Sequence, residues 1–367
     1  MSTYVFDART ATPHFPGIGR YVASLAQALE PLLESHESLT VLHHPDHPIS
    51  LAGRAQPREV GISPFSLGQQ RQLPALLRAA GATVYHSGYY LMPYRAGVPS
   101  IVTLHDLIPL LFPKLSSLRA RAGFRVAVSL ALRASRICIT DSESTRRDVL
   151  AAFRVAPAKV RAIPLAAAPD FKPQSSAELA ALRARYALPD RFYLYLGSNK
   201  PHKNLVRLIS AYAPLASADC PLVIAGAWDS RYPEAKQAAA TLAPDTVRWL
   251  GAIPEPHLPA LYGAALAFVF PSLYEGFGLP VVEAMACGTP VACSRSSSLP
   301  EVAGEACLLF DPTDVQALTQ VLQQLREDAG LRRALHERGL IQARGFSWRR
   351  SAEATLQLYR EVAQTVS

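Results

Sequence analysis

Cysteine is scarce and unpatterned in this chain of 367 residues. The five present, Cys138, Cys220, Cys287, Cys293 and Cys307, are odd in number and include no C-x-x-C spacing. That excludes a disulfide framework and a zinc knuckle, and it leads us to expect a reduced, cytoplasmic protein. Long apolar runs are missing as well. The longest, near Ala264–Phe270 and Leu107–Phe112, fall well short of the ~20 residues needed to span a bilayer. Met1-Ser2-Thr3-Tyr4 has neither the basic start nor the apolar core of a secretory signal, so none is expected. Charged residues make up 18% and hydrophobic ones 49%, which excludes a disordered or collagen-like chain. No internal repeat of fixed period is evident.

What is present is an excess of positive charge: 37 Lys and Arg against 29 Asp and Glu, a net of +8. Such a balance suits a phosphate-bearing substrate, nucleic acid or an acidic membrane surface, and it also arises in Arg-rich proteins with no polyanionic partner. Arg119, Arg121, Arg125, Arg133 and Arg136 surround an apolar helical stretch, a pattern that fits a membrane surface.

Short apolar runs alternate with amphipathic stretches almost throughout, the mark of an α/β protein. Strands are predicted at Tyr4–Asp7, Leu39–Leu42, Thr83–His86, Ser100–Leu104, Arg136–Thr140 and Val160–Ile163. Helices are predicted near Arg20–Leu33, Gly68–Ala80, Arg119–Ala134 and Ser142–Phe153. Prolines at 164, 169, 173 and 189 then break the pattern. A second alternation runs from Phe192 to Phe310, followed by helices at Thr313–Asp328 and Leu331–Ala343 and a last one from Trp348. Asp311-Pro312 reads as an N-cap followed by proline at the first helical position. The expected organisation is a first doubly wound domain over 1–165, a linker over 166–190 with a short helix near Glu178–Arg185, and a second such domain over 191–345. A closing helix spans 346–367. Two doubly wound halves imply a cleft, and ligands of open α/β sheets sit outside the carboxyl ends of the strands.

The loop following the strand that ends at Phe270 carries the clearest chemistry. Gly276 and Gly278 permit close backbone approach to a ligand, and Pro280 suits the first turn of the helix that follows. The free amides around Phe277, Gly278 and Leu279 then make an anion site. Glu283, placed in that first turn, can accept two hydrogen bonds from a vicinal diol such as a ribose, and Glu275 can do the same for a sugar ring. A glycine-rich turn with Glu283 merely favouring the helix terminus fits these residues equally well. Gly197-Ser-Asn-Lys-Pro-His-Lys-Asn204 is no P-loop, although Lys200, His202 and Lys203 cluster before a helix. In the first half, Phe15-Pro-Gly-Ile-Gly-Arg-Tyr21 and Thr103-Leu-His-Asp-Leu-Ile-Pro109 follow strands, as does Tyr85-His-Ser-Gly-Tyr-Tyr90. His43-His44-Pro-Asp-His47 lacks a placed fourth ligand and reads as solvent-facing rather than as a metal site.

The run Glu275-Gly-Phe-Gly-Leu-Pro-Val-Val-Glu-Ala-Met-Ala-Cys-Gly-Thr-Pro290, with seven residues between its glutamates, resembles the EX7E signature of retaining glycosyltransferases of family 4. Ser298-Leu-Pro-Glu-Val-Ala-Gly304 resembles the same family. The resemblance implies a GT-B fold, two Rossmann-like domains with a nucleotide-sugar donor on the second. It also implies transfer with retention of configuration and no cofactor or metal requirement. By that resemblance Glu275 contacts the donor sugar and Glu283 the ribose. The amides of Phe277, Gly278 and Leu279 face the sugar and diphosphate, beside Gly276, and Lys203 contacts the diphosphate. Gly17 and Gly19 match the glycine loop that faces the diphosphate, and His105 matches a histidine near the sugar. His86, Tyr89 and Asp106 are assigned to the acceptor side. Ser198 stands where many members carry arginine, which leaves the neutralising charge on Lys203 and the helix amides. The last helix is expected to return to the first domain.

The set looks most like bacterial mannosyltransferases that use GDP-mannose, with Lys203, Glu275 and His105 as the catalytic group. The expected acceptor is a growing polysaccharide or a lipid-linked oligosaccharide. Nucleic acid is not expected as a partner, and an anionic membrane at the inner face is retained as a candidate. The alternatives are a UDP-sugar donor, or a GT-B subunit that binds nucleotide sugars with weak turnover. A phosphorylase would need a pyridoxal-phosphate lysine, and a dehydrogenase a third glycine at Val22.

Overall fold

The computed structural model describes residues 2–12 and 16–364. The chain divides into two compact units: Met1–Leu165 together with Ser347–Ser367, and Ala166–Phe346.

The first unit is built on seven strands, β1 (Ser2–Asp7), β2 (Glu37–His43), β3 (Gln56–Glu59), β4 (Val84–Ser87), β5 (Ser100–Leu104), β6 (Ile137–Thr140) and β7 (Val160–Ala162). All pair in parallel, in the order β3-β2-β1-β4-β5-β6-β7. The order reverses between β1 and β4, the place where such sheets open a ligand crevice. Strands β4 and β5 are buried along their whole length, as expected for a parallel sheet covered on both faces. One face packs Val5, Tyr85, Val102 and Cys138 against Leu73, Leu77, Phe124 and Val128 from two helices. Strand β3 was not predicted from sequence. Its residues Gln-Pro-Arg-Glu are all exposed and carry no apolar pattern. Only pairing with β2 makes it a strand, and its proline is tolerated because it lies at the sheet edge.

The second unit holds β8 (Tyr193–Leu196), β9 (Leu222–Ala225), β10 (Val247–Gly251), β11 (Ala267–Phe270), β12 (Val291–Ser294) and β13 (Cys307–Phe310). They form one parallel sheet ordered β10-β9-β8-β11-β12-β13. Strands β8, β9, β11 and β12 are entirely buried. Segment 166–190, expected as a linker, falls inside this unit. Its helix Ser176–Tyr186 starts on a capping box, in which Ser175 and Glu178 satisfy each other's backbone amides.

Two helix starts differ from expectation. The first helix begins at Pro16 and runs to Leu29, so Gly17 and Gly19 lie in its opening turn rather than in a loop before Arg20. Phe15 of that motif lies outside the described residues. Asp314, not Asp311, caps helix Val315–Glu327 by accepting from the Ala317 amide. Asp311 instead closes a turn with the amide and hydroxyl of Thr313.

The helix Trp348–Gln364 belongs to the first unit. Arg360 forks onto buried Glu37 of β2 at 2.8 and 2.9 Å, and the Ser351 hydroxyl donates to Pro164 O. The guanidinium hydrogen bond holds the Glu37 carboxyl down at about 2.

Candidate active site

In the second unit the loops singled out in the sequence follow the carboxyl ends of β8 and β11. After β8 the chain turns through Gly197 to the short helical turn Pro201–Lys203 and then to Asn204, which adopts a left-handed conformation (φ 64°). The Asn204 side-chain Nδ2 donates to Pro271 O and Pro312 O, and the Leu273 backbone amide donates to His202 O at 2.7 Å. These bonds stitch the loop after β8 to the loop after β11. Lys203 is thereby held against Glu275: Nζ donates to both carboxylate oxygens, at 2.6 and 2.9 Å, and lies 5.5 Å from the centre of the Phe270 ring. Both side chains are largely buried, at 17% and 11% exposed. Such a pair survives burial because each charge is matched by a well-placed partner.

Three consecutive serines brace the other side of Glu275. Ser297 Oγ accepts from the Glu275 amide, Ser298 Oγ donates to Glu275 O and Phe277 O, and Ser296 Oγ donates to Ser272 O. Gly278, the N-cap of helix Leu279–Ala286, has φ 104°. A side chain there would be strained, and its Cβ would come within 2.6 Å of Leu299 Cδ2. Within the first turn Pro280 carries no N–H and the Val281 amide already donates to Gly278 O at 2.9 Å, so the helix dipole, rather than a row of open amides, favours an anion at this end of the loop. Glu283 is the fifth residue of the helix, not part of its first turn. It is buried, and its Oε2 accepts from the Tyr262 hydroxyl at 3.0 Å. Ser198 O accepts from the Tyr195 hydroxyl, while His202 is buried and pushed down to about 3 by burial and by the nearby Lys203 and Lys200.

A cavity of about 350 Å³ opens beside this loop, lined by Gly197, Asn199, Gly226, Trp228, Lys236 and Trp249 among others. The two indoles meet edge to face at 5.1 Å, and Lys236 Nζ lies 4.4 Å from the Trp228 ring centre. Neither tryptophan stood out in the sequence, because nothing in local spacing brings the ends of β9 and β10 together.

In the first unit, two histidines occupy strand ends. His105 follows β5 with both ring nitrogens on acceptors: Nδ1 lies 2.7 Å from Asp141 Oδ2 and Nε2 lies 3.0 Å from Gly88 O. A neutral ring has one N–H and would leave one acceptor facing a lone pair, so the imidazolium fits. Burial works against the cation, but the Asp141 carboxylate outweighs it and keeps the His105 pKa above the ordinary value. Since the Gly88 amide donates to Asp7 O, one polar chain ties the tips of β1, β4, β5 and β6. Asp141 was not singled out from sequence.

His86, expected on the acceptor side, is instead fully buried, between the Tyr359 hydroxyl and Thr103 Oγ1 at 2.8 Å each. Burial and the charge on His105 push it down to about 3. It is enclosed by the terminal helix and cannot reach an acceptor. Tyr89 packs against Tyr90 with ring centres 4.3 Å apart and planes tilted by 45°. Asp106 Oδ1 accepts from the Ile108 amide and caps the following turn. His44 and Asp46 approach to 3.5 Å near the surface. Among the described residues no group of three or more His, Cys, Asp or Glu is arranged to hold a metal ion.

Comparison with known proteins fits this geometry. Residues 182–341 match the model for "Glycosyl transferases group 1", and residues 16–171 match that for "Glycosyltransferase Family 4". The O-antigen chain mannosyltransferase B of Escherichia coli is 32% identical over 305 residues, covering 82% of this chain and 80% of that protein. This chain belongs to glycosyltransferase family 4. The serotype-specific mannosyltransferase WbdA of Escherichia coli is also 32% identical, over 76% of this chain and 36% of its own greater length. Among solved structures, a sucrose-phosphate synthase from Thermosynechococcus elongatus superimposes over the whole of both chains with a TM-score of 0.79 at 22% identity. That agreement establishes the GT-B fold, with its two Rossmann-like units. The glycosyltransferase therefore carries its EX7E glutamates in two different settings. Glu275 is paired at a loop, and Glu283 is enclosed in a helix.

Proposed function

We propose that this glycosyltransferase moves mannose from GDP-mannose to a growing saccharide or lipid-linked oligosaccharide, with retention of configuration and without a metal. The observation that carries the reading is Lys203 held on Glu275 beside the glycine-rich entry to helix Leu279–Ala286. The named activities of the relatives, mannosyl transfer to O-antigen chains among them, supply the sugar and the acceptor class.

The donor's diphosphate would arrive at the helix terminus and share the Lys203 ammonium, which has three protons to donate. Departure of the nucleoside diphosphate breaks the bond between C1 and the phosphate oxygen and builds negative charge on that oxygen. Lys203 and the helix dipole then stabilise the charge as it develops. The acceptor hydroxyl attacks C1 from the face the leaving group departs, and its proton passes to the leaving phosphate oxygen. No enzyme base is required in this scheme. Glu275, released from Lys203, orients the sugar hydroxyls. The nucleoside would occupy the cavity lined by Trp228 and Trp249, whose size and aromatic walls suit a planar base.

A panel of nucleotide sugars tests this, read by thermal shift and by slow hydrolysis. GDP-mannose is expected to raise the melting temperature and to release GDP slowly. A shift with a UDP-sugar and none with GDP-mannose would reassign the donor. A protein indifferent to every nucleotide sugar would overturn the transferase reading. The anomeric proton of the product, followed by NMR, decides retention, and unchanged turnover after chelation is the expected result for a metal-free reaction.

A further inference from the structure

We propose that the outer face of helix Leu118–Ala134, with the turn before it, docks on an anionic lipid bilayer. Between Asp106 and Asp141 the sequence contains no Asp or Glu, yet it holds Lys114, Arg119, Arg121, Arg125, Arg133 and Arg136. The helix lays Phe124, Val128, Ala131 and Leu132 onto the core. Its opposite side is apolar too: Leu118 is 77% exposed, Val126 58% and Leu130 37%, and Leu111 in the preceding turn is 43% exposed. Leu118, Ala122, Val126 and Leu130 recur every four residues and so form one stripe along the helix. At 100° per residue, Arg119 and Arg133 fall within that stripe and Arg125 along its border. Ring contacts from Phe124 through Tyr90 and Tyr89 reach Phe65, which is itself exposed together with Leu67.

A helix whose solvent side combines exposed aliphatic residues with arginines, and no acid, is unfavourable in water and complementary to a negatively charged interface. The aliphatic stripe decides between lipid and a soluble polyanion. A phosphate or carboxylate polymer would engage the arginines but leave Leu118, Val126 and Leu130 wet. Acyl chains just below a charged headgroup layer satisfy both. Among the described residues no helix is long and apolar enough to cross a membrane, and the proposed docking is a surface one. The docking does not depend on the identity of the donor.

The test is sedimentation of the full chain with vesicles of pure phosphatidylcholine and with vesicles containing about one third phosphatidylglycerol. Binding is expected to the anionic vesicles at low salt, with weak binding to the neutral ones and release at high salt. At roughly fivefold per basic residue, Arg119→Gln/Arg133→Gln should lower the partition coefficient about 25-fold. Leu118→Ser/Val126→Ser should weaken binding even at low salt. Leu118→Trp should show a blue-shifted emission on anionic vesicles. Arg333→Gln, on an exposed helix of the second unit that also carries Glu337, serves as control and should bind as the unaltered chain does. Circular dichroism and the donor-induced thermal shift of each variant keep misfolding and loss of donor binding separate from loss of docking. Absence of low-salt binding to anionic vesicles would overturn the proposal, as would unchanged partition in the arginine variant. Equal retention on an acidic polysaccharide, indifferent to Leu118→Ser/Val126→Ser, would assign the surface to a soluble polyanion instead.

Discussion

Lys203 and Glu275 neutralise each other in a setting that would penalise either alone. Replacing the lysine therefore does two things: it removes the cation available to a leaving phosphate, and it strands a largely buried carboxylate. Lys203→Ala should lower turnover by about 10²–10³-fold, the scale of losing one transition-state electrostatic contact, while donor affinity changes far less. Steady-state kinetics beside a donor titration separates the two, and wild-type turnover would remove the phosphate role. The same reasoning applies to His105, whose charge rests chiefly on the Asp141 carboxylate, with Gly88 O and Asp106 adding to it. Asp141→Asn removes the main anion and leaves burial opposed only by Gly88 O and the charge of Asp106, so the His105 pKa should fall. An NMR titration of its ring protons reads this directly, and a titration unmoved by the substitution would show that Asp141 is not what holds the charge.

At the scale of elements, buried neutral histidines make the packing of strands and loops sensitive to acid. His86 joins β4 and β5 to the terminal helix, and His202 lies in the loop after β8. Both are held near 3 in the folded chain and near 6.5 when unfolded. Between those values the unfolded chain binds more protons, so stability is full above about 6.5 and is lost as pH falls. The slope is about 1.4 kcal/mol per pH unit for each group, or roughly 2 kcal/mol each by pH 5. His105 runs the other way: its raised pKa contributes fully below about 6.5 and fades as pH rises through the folded value. Hydrogen exchange at pH 7, 6 and 5 should show acid weakening β4 and β5, with the slope flattened in His86→Gln.

These histidines also mark where sequence reading stops. The strands of both sheets were legible, because buried parallel strands are short apolar runs. So was the loop of Glu275, because its glycines and prolines declare a strand-to-helix turn. Strand β3 was not, since pairing alone creates it. His86 and His105 look alike in the sequence, each near a strand end. What separates them is Tyr359, 273 residues further on from His86, and Asp141 just past the end of the neighbouring strand β6. The Ser296–Ser298 brace and the two tryptophans were invisible for the same reason. Asp311 and Asp314 are equally good caps by local signal, and only the turn at Thr313 chooses between them.

For the molecule as a whole, the governing fact is that one unit is made of two separate stretches of chain. Removing 347–367 should expose His86 and strip Glu37 of Arg360, loosening the first sheet, while the second unit keeps its own sheet and the loops that carry Lys203 and Glu275. A chain ending at Phe346 is expected to show reduced protection in β1, β2 and β4. A preserved nucleotide-sugar thermal shift would locate donor binding in the second unit. Loss of protection in β8 and β11 as well would contradict this division.

The return of the chain to its starting unit also orders events on the ribosome. When Leu165 emerges, all seven strands of the first sheet are available, but Tyr359 and Arg360 have yet to be made. At ~5–20 residues per second, they follow roughly 10–40 s later, after the whole second unit has been synthesised. During that interval His86 and Glu37 face solvent where a helix will later lie, and the apolar groove awaiting Leu356 and Tyr359 is open to other chains. The last turns of the helix thus close the first unit only once the second exists, so a polypeptide cut short anywhere in the second unit is left with an unfinished first one.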